Sequence, residues 1–478
     1  MKRPSLLETC EWVFGSVVAL GCLTSLKNAW GFVWSPYQLN FAEGVILGGV
    51  QRAMEGQALY PSSHDFPVVI HQYGPIYYYV GAWLLKGFGL SFTPLRLMTM
   101  VSALVIAGLV ALLLHQQTAS WKLGLSFGFL FLTLPLVQDW LPLARVDMPA
   151  VALSLAGVCL YSRFCEQWYL SVPFFLAAIF SKYTLLAAPG ACFLDLLFRK
   201  RPKTAASFAG SLFVLSGAGF LVLQQTTGGG FAFDTLASHV DPFSFERTLA
   251  LLQLGVQQYP FLFVLGFGIA LRDLRNGVAT LPLLYLALST LTLIPAGKVG
   301  SDSNHLLEWT AILCLCGGLS YHALREQAAQ ATALLLVPAV LSLAILVPPR
   351  PPYAFPGHTG CPEAYAFVKN HPGQRILSED LGAVVMAGKT VQLSDPFVWT
   401  WLVKRGGWSD AELQTLVHAR AFDCIILDGP IDWQKEIGEL SRWPLPFLDA
   451  LQQNYRPTRA FACQDAGIAY EPIGGAPP

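Results

Sequence analysis

Apolar runs of about 15–22 residues recur along most of this 478-residue chain, and they leave few folds open. A backbone amide or carbonyl left unpaired in hydrocarbon is costly, so such runs must cross a bilayer as helices. Candidate spans lie at 10–33, 96–115, 121–138, 148–164, 168–181, 184–198, 204–223, 258–271, 278–295, 305–321 and 329–347. Charged residues make up 13% of the chain, about half the soluble norm of roughly 25%. The formal net charge is zero, so nothing points to nucleic acid. The expected class is a polytopic α-helical membrane protein of about 11–12 transmembrane helices.

One further apolar run, 75–90, holds Lys86 and two glycines and reads as either a twelfth span or an interfacial helix. The positive-inside rule decides between them. Lys2 and Arg3 place the N-terminus inside, and the basic loops at 199–203 and 272–275 should join it there. They do so only if 75–90 does not cross. The count is then eleven spans, with 35–95 as one large external loop. Most of the unusual polar residues fall in the outward loops.

From Pro348 the composition changes. A Pro-rich stretch, VPPRPPYAFPG, precedes short β-like runs at Arg375–Ser378, Thr390–Leu393, Asp423–Asp428 and Arg459–Cys463. Helical patterns at 409–419 and 433–452 alternate with them. This reads as a small C-terminal extracytoplasmic α/β domain, 348–478, after a membrane domain, 1–347. Of the ten cysteines, seven sit in or beside apolar runs as small hydrophobes. Cys361, Cys424 and Cys463 lie in the C-terminal part, where one disulfide is possible.

Within the first external loop, Asn40 and Glu43 have the spacing of a helix capping box, and Gly56 is a natural stop. Between them Val45, Ile46, Leu47, Val50 and Met54 make one apolar side, the pattern of a helix lying in the membrane interface. The loop ends in Tyr73-Gly74-Pro75. Further on, Arg145-Val146-Asp147-Met148-Pro149 opens a span. Asp147 reads as a helix cap or as an ionisable residue lining a polar site. Arg145 reads as an interfacial anchor or a phosphate clamp. Lys182 is an external lysine, against the topological bias, and snorkels or contacts a phosphate. In Asp302-Ser303-Asn304-His305-Leu306-Leu307-Glu308, Asn304 and Glu308 share a helix face with His305 adjacent. Glu308 lies one turn into an apolar run, where a charge is costly unless used or paired.

These elements resemble the membrane glycosyltransferases of the GT-C class, in particular the protein-mannosyltransferase and aminoarabinose-transferase-like group. The family's first loop has an Asp-Glu-Gly start, then Gly-x-x-Leu-Tyr and Tyr-Gly-Pro. Here Ala42-Glu43-Gly44, Leu59-Tyr60 and Tyr73-Gly74-Pro75 stand in that order. The leading Asp is Ala42, so Glu43 would supply the carboxylate alone. The resemblance implies transfer of a monosaccharide from a polyprenyl-phosphate donor to an extracytoplasmic glycan, lipid or protein acceptor, in a bacterial inner membrane. It implies Glu43 or Asp147 as base, with Arg145, Lys182, Asp302, Asn304, His305, Glu308 and Tyr73 binding substrate. Carboxylates and one His could hold Mg²⁺ or Mn²⁺, although no spacing demands it. Two other classes stay open: a transporter or flippase of lipid-linked sugars, and a non-catalytic membrane subunit of an envelope-assembly complex. Against the transporter, the sequence shows no inverted repeat and no paired broken spans.

Overall fold

The computed structural model describes residues 5–62, 65–258, 260–327, 336, 339–340, 361–438, 441–462 and 467–474. The expected span 329–347 (apart from three residues), the Pro-rich stretch and Cys463 lie outside the described residues. The first helices are α1 (Leu6–Val33), α2 (Phe41–Met54), α3 (Pro75–Phe88) and α4 (Thr93–Thr118). Ser5 and Glu8 form a reciprocal cap at the start of α1, satisfying two amides that have no partner inside the helix. Among the described residues, α1, α4 and the helix Pro202–Thr226 are each long and apolar enough to cross a membrane unaided. Phe213 on the last of these is 80% exposed, which suits a lipid-facing surface and not water.

Several expected spans are broken. The run 121–138 stops at Thr133, because Pro135 cannot continue the helix and starts a new short one, Pro135–Trp140. The run 168–181 yields a tight turn, Cys165–Leu170, and a helix of only eight residues, Val172–Ile179. The run 278–295 gives the helix Leu281–Leu291 followed by a 3₁₀ turn at Ile294–Gly297. Helices Phe245–Gln258 and Pro260–Arg275 meet at 103°.

Helix α3 has 14 residues, hence a length of about 21 Å, against a hydrocarbon core of about 30 Å. It is too short to span, and it packs on α2. The apolar side of α2 meets protein where lipid was expected. Ile46, Leu47 and Val50 share one buried cluster with Tyr77, Tyr78 and Leu85 of α3 and with Val384, Val385 and Ile426 near the C-terminus. Gly44 permits that closeness: a Cβ there would lie 2.5 Å from the Gly382 amide nitrogen.

The C-terminal part is α/β, with a four-stranded sheet in the order β1-β2-β4-β3. Its strands are β1 (Ile376–Ser378), β2 (Cys424–Leu427), β3 (Tyr455–Ala460) and β4 (Ile468–Pro472). β1 and β2 are parallel, and the other pairings are antiparallel. β2 is buried along its whole length, as its apolar CIIL sequence requires. Thr390–Leu393 is not a sheet strand. Leu393 pairs instead with Val68 of the first loop, in an isolated bridge. The Val68 amide donates to the Gln392 carbonyl at 2.9 Å, and the Ser394 amide donates to the Val68 carbonyl at 3.1 Å. Cys361 is in a disulfide, while Cys424 is a buried free thiol. The C-terminal part is thus stitched onto the first loop, and a cavity lies between them.

Candidate active site

The cavity has a volume of about 590 Å³. Its walls come from the start of α2, the end of the first loop, the turns at 140–145 and 182–184, the segments 235–241 and 295–305, and the C-terminal residues Asp395, Phe397, Val398 and Arg442. Its cationic end is built around Asp147. This carboxylate does not cap its helix, although its place in the sequence suits a cap. Instead its Oδ1 accepts from Lys182 Nζ at 2.6 Å and from Asn304 Nδ2 at 2.8 Å. Its Oδ2 accepts from Arg145 Nε at 3.4 Å. Arg145 also donates to the Tyr73 hydroxyl at 2.9 Å and stacks over the Trp140 ring at 5.2 Å. Arg145 and Lys182 are 7% and 6% exposed, yet both line the cavity. Four dispersed elements, at 73, 145–147, 182 and 304, are therefore one hydrogen-bonded group.

Local backbone geometry places them. Gly74 caps α3 in extended conformation, and Pro75 takes the first helical position. The Gly74 amide donates to the Ser181 carbonyl at 3.2 Å and the Ile76 amide to the Phe180 carbonyl at 3.2 Å. A Cβ on Gly74 would fall 1.9 Å from the Phe180 oxygen, so only glycine fits. This contact fixes the turn that carries Lys182.

Glu43 is elsewhere. It is fully buried and does not line the cavity, whereas its neighbours Asn40, Phe41 and Ala42 do. Asn40 caps α2 as expected, but Glu43 does not complete the capping box. Its carboxylate accepts from the Leu39 and Ala144 amides at 2.5 and 2.6 Å and from Arg96 Nε and Nη2 at 2.9 Å each. Through these bonds Glu43 ties α2 to α4 and to the turn before Arg145. It is placed to position that turn. It is not placed to take a proton from a substrate in the cavity.

Glu308 is also behind the wall. It accepts from Tyr285 Oη at 2.8 Å and from Ser154 Oγ at 3.3 Å, which answers the cost of its burial with hydrogen bonds. Asp302 and His305 do line the cavity.

The cavity is also lined by residues the sequence did not single out. Asp241 has a buried Oδ1 with no hydrogen-bond partner among the described residues. Burial pushes its carboxyl up to about 6, opposed by Lys298. Asp395 caps the helix Pro396–Lys404, its Oδ1 accepting from the Phe397 and Val398 amides at 3.1 Å each. Burial, helped by Asp241, pushes its carboxyl up to about 6 as well. Lys298 donates to the His239 carbonyl at 2.9 Å, and the His239 Nε2 and Tyr183 Oη are 2.6 Å apart. The only local signal at Asp395-Pro396 is that of a helix start.

Among the described residues no group of three His, Cys, Asp or Glu side chains is arranged to hold a metal ion. Asp147, at the cationic end of the cavity, faces two cations and an amide, so the residues present do not fit a divalent cation there.

These features make up a polytopic membrane architecture, with broken apolar helices, a first loop carrying two short helices and an α/β cover, that solved structures of other proteins share. The aminoarabinose transferase ArnT from Cupriavidus metallidurans shares the architecture in its apo state, with a TM-score of 0.63 at 10% identity, over 96% of this chain and 99% of that one. The same protein bound to undecaprenyl phosphate matches with a TM-score of 0.62 at 10% identity, over the same shares of the two chains. The Archaeoglobus fulgidus oligosaccharyltransferase, in complex with Zn and sulfate, matches with a TM-score of 0.54 at 12% identity, over 95% of this chain and 73% of that one. The oligosaccharyltransferase AglB from that organism, with an inhibitory peptide and a dolichol-phosphate, gives 0.54 at 11% identity, over 97% and 74%. No family profile and no curated protein sequence matches the chain.

Proposed function

We propose that the protein is an integral membrane glycosyltransferase that moves a monosaccharide from a polyprenyl-phosphate donor to an extracytoplasmic acceptor. The observation that carries this reading is the Arg145–Asp147–Lys182 group: two buried cations share one carboxylate at the end of a cavity between the spans and the cover. The leftover positive charge suits a phosphate leaving group, whose charge develops as the glycosidic bond breaks. Tyr73, Asn304, Asp302 and His305 hold the donor head beside it. Asp147, held by three donors, keeps the cations in place, and no step runs through a metal ion. The fold neighbours that bind undecaprenyl phosphate and dolichol-phosphate support a lipid-linked donor.

The described part of residues 1–347 carries the donor site, and the described part of 348–478 covers it from the extracytoplasmic side of a bacterial inner membrane. The Cys361 disulfide supports that side, because disulfides persist in oxidising compartments. The test is transfer by purified protein in nanodiscs offered a panel of undecaprenyl-phosphate monosaccharides with envelope lipids and proteins as acceptors. Release of undecaprenyl phosphate coupled to acceptor labelling, unaffected by EDTA, is the expected result. No release with any donor overturns the reading.

A further inference from the structure

If the cavity transfers a sugar, its acceptor needs a group to take a proton, and neither Glu43 nor Asp147 is placed for that. Glu43 has no face on the cavity, and both carboxylates are filled with charge-assisted hydrogen bonds. Three other carboxylates line it: Asp241, Asp302 and Asp395. Asp302 is exposed, and its charge acts on Arg145, which assigns it to the donor end. Asp241 and Asp395 both line the cavity, and the Asp241 charge acts on Asp395. Asp241 presents a buried oxygen, Oδ1, that has no hydrogen-bond partner among the described residues. Asp395 is anchored by two amides on one oxygen, which leaves Oδ2 for the cavity. Tyr73, whose hydroxyl accepts from Arg145, lines the same cavity as Asp241 and Asp395, so the pair and the phosphate site share one chamber.

We propose that Asp395, delivered by the C-terminal α/β part, is the base of the reaction, with Asp241 orienting the acceptor's hydroxyl beside it. This rests on the glycosyl-transfer reading above. In the step, the acceptor oxygen bonds to the anomeric carbon. The bond from that carbon to the phosphate oxygen breaks, and its electron pair leaves with the phosphate, held by Arg145 and Lys182. The hydroxyl proton passes to Asp395 Oδ2. The groups facing Asp395 are Asp241, Arg442 and the Phe397 and Val398 amides, and those facing Asp241 are Lys298 and Arg405. With the carboxyl poised near 6 by burial, the base is largely ionised at neutral pH.

The test compares wild type, Asp395→Asn, Asp395→Ser and Asp241→Asn in nanodiscs with the same donor panel and envelope acceptors. Asn and Ser both keep the helix cap, so the local fold survives. The expected result is a kcat lowered about 10²–10⁴-fold in both Asp395 variants, the range for loss of a general base. Protection against thermal unfolding by undecaprenyl phosphate should be unchanged, and the acid limb near pH 6 should vanish from the residual rate. Asp241→Asn should raise the acceptor KM more than it lowers kcat. Wild-type transfer with Asp395 variants of near-normal kcat and an intact acid limb overturns Asp395 as base while leaving the transfer reading standing. A wild type inactive with every donor overturns both.

Discussion

Arg96 holds the Glu43 carboxylate through two N–H groups at 2.9 Å each, with both side chains fully out of solvent. Removing one partner of such a pair strands the other charge, at a cost of about 3–5 kcal/mol. Glu43→Ala should therefore lower thermal stability in detergent by that order. Glu43→Gln combined with Arg96→Gln should recover part of the loss. A Glu43→Gln variant of native stability but without transfer would assign Glu43 a chemical role instead.

Lys182 should matter to donor binding more than to folding, because it completes the cationic end of the cavity. A hydrogen bond to a charged group contributes about 1.5–3 kcal/mol, so Lys182→Met should weaken undecaprenyl-phosphate binding about 10- to 100-fold. Asp147→Asn should do less to affinity and more to stability, since it leaves two cations with poorer partners. Lipid-phosphate titrations followed by tryptophan fluorescence read the first effect, and thermal unfolding reads the second. Equal affinity for wild type and Lys182→Met would remove Lys182 from the phosphate site.

Glu379, Asp428 and Arg442 put two carboxylates against one guanidinium. Burial, then Asp428, pushes the Glu379 carboxyl up to about 7 from an ordinary 4.5. The folded state therefore binds more protons than the unfolded state between those values. Stability contributed by this group should be full below about 4.5 and lost as pH rises through about 7. Melting temperature followed across pH 4.5–7.5 should show that decline, and Glu379→Gln should flatten it. An unchanged slope in the variant would place the titration elsewhere.

Gly74 and Gly87 offer a matched pair. A Cβ on Gly74 would meet the Phe180 carbonyl at 1.9 Å, whereas nothing lies within 4 Å of one on Gly87 in α3. Gly74→Ala should displace the 180–182 turn and weaken both folding and undecaprenyl-phosphate binding. Gly87→Ala should be neutral or stabilise by up to about 1 kcal/mol, the difference in helix propensity. Thermal unfolding of the two variants side by side decides it, and a tolerated Gly74→Ala would show that the turn is not fixed by this contact.

Apolar runs and low charge were enough, from the sequence alone, to require helices in a bilayer, because hydrocarbon admits little else. The order of short polar elements also pointed to residues that meet: Tyr73, Arg145, Asp147, Lys182 and Asn304 form one bonded group. Which carboxylate is free to react was a tertiary decision. Asp147 has the sequence of a cap and is instead triply bonded, while Glu43 is claimed by Arg96, 53 residues away. Asp395 looks like an ordinary helix start and is one, and it lies in the cavity wall beside the place where the Val68 and Leu393 segments pair across more than 300 residues of chain. Local periodicity reports which way a side chain faces on its own element. It carries no information about which distant element will desolvate that side chain or pair with it, and those two events set its chemistry.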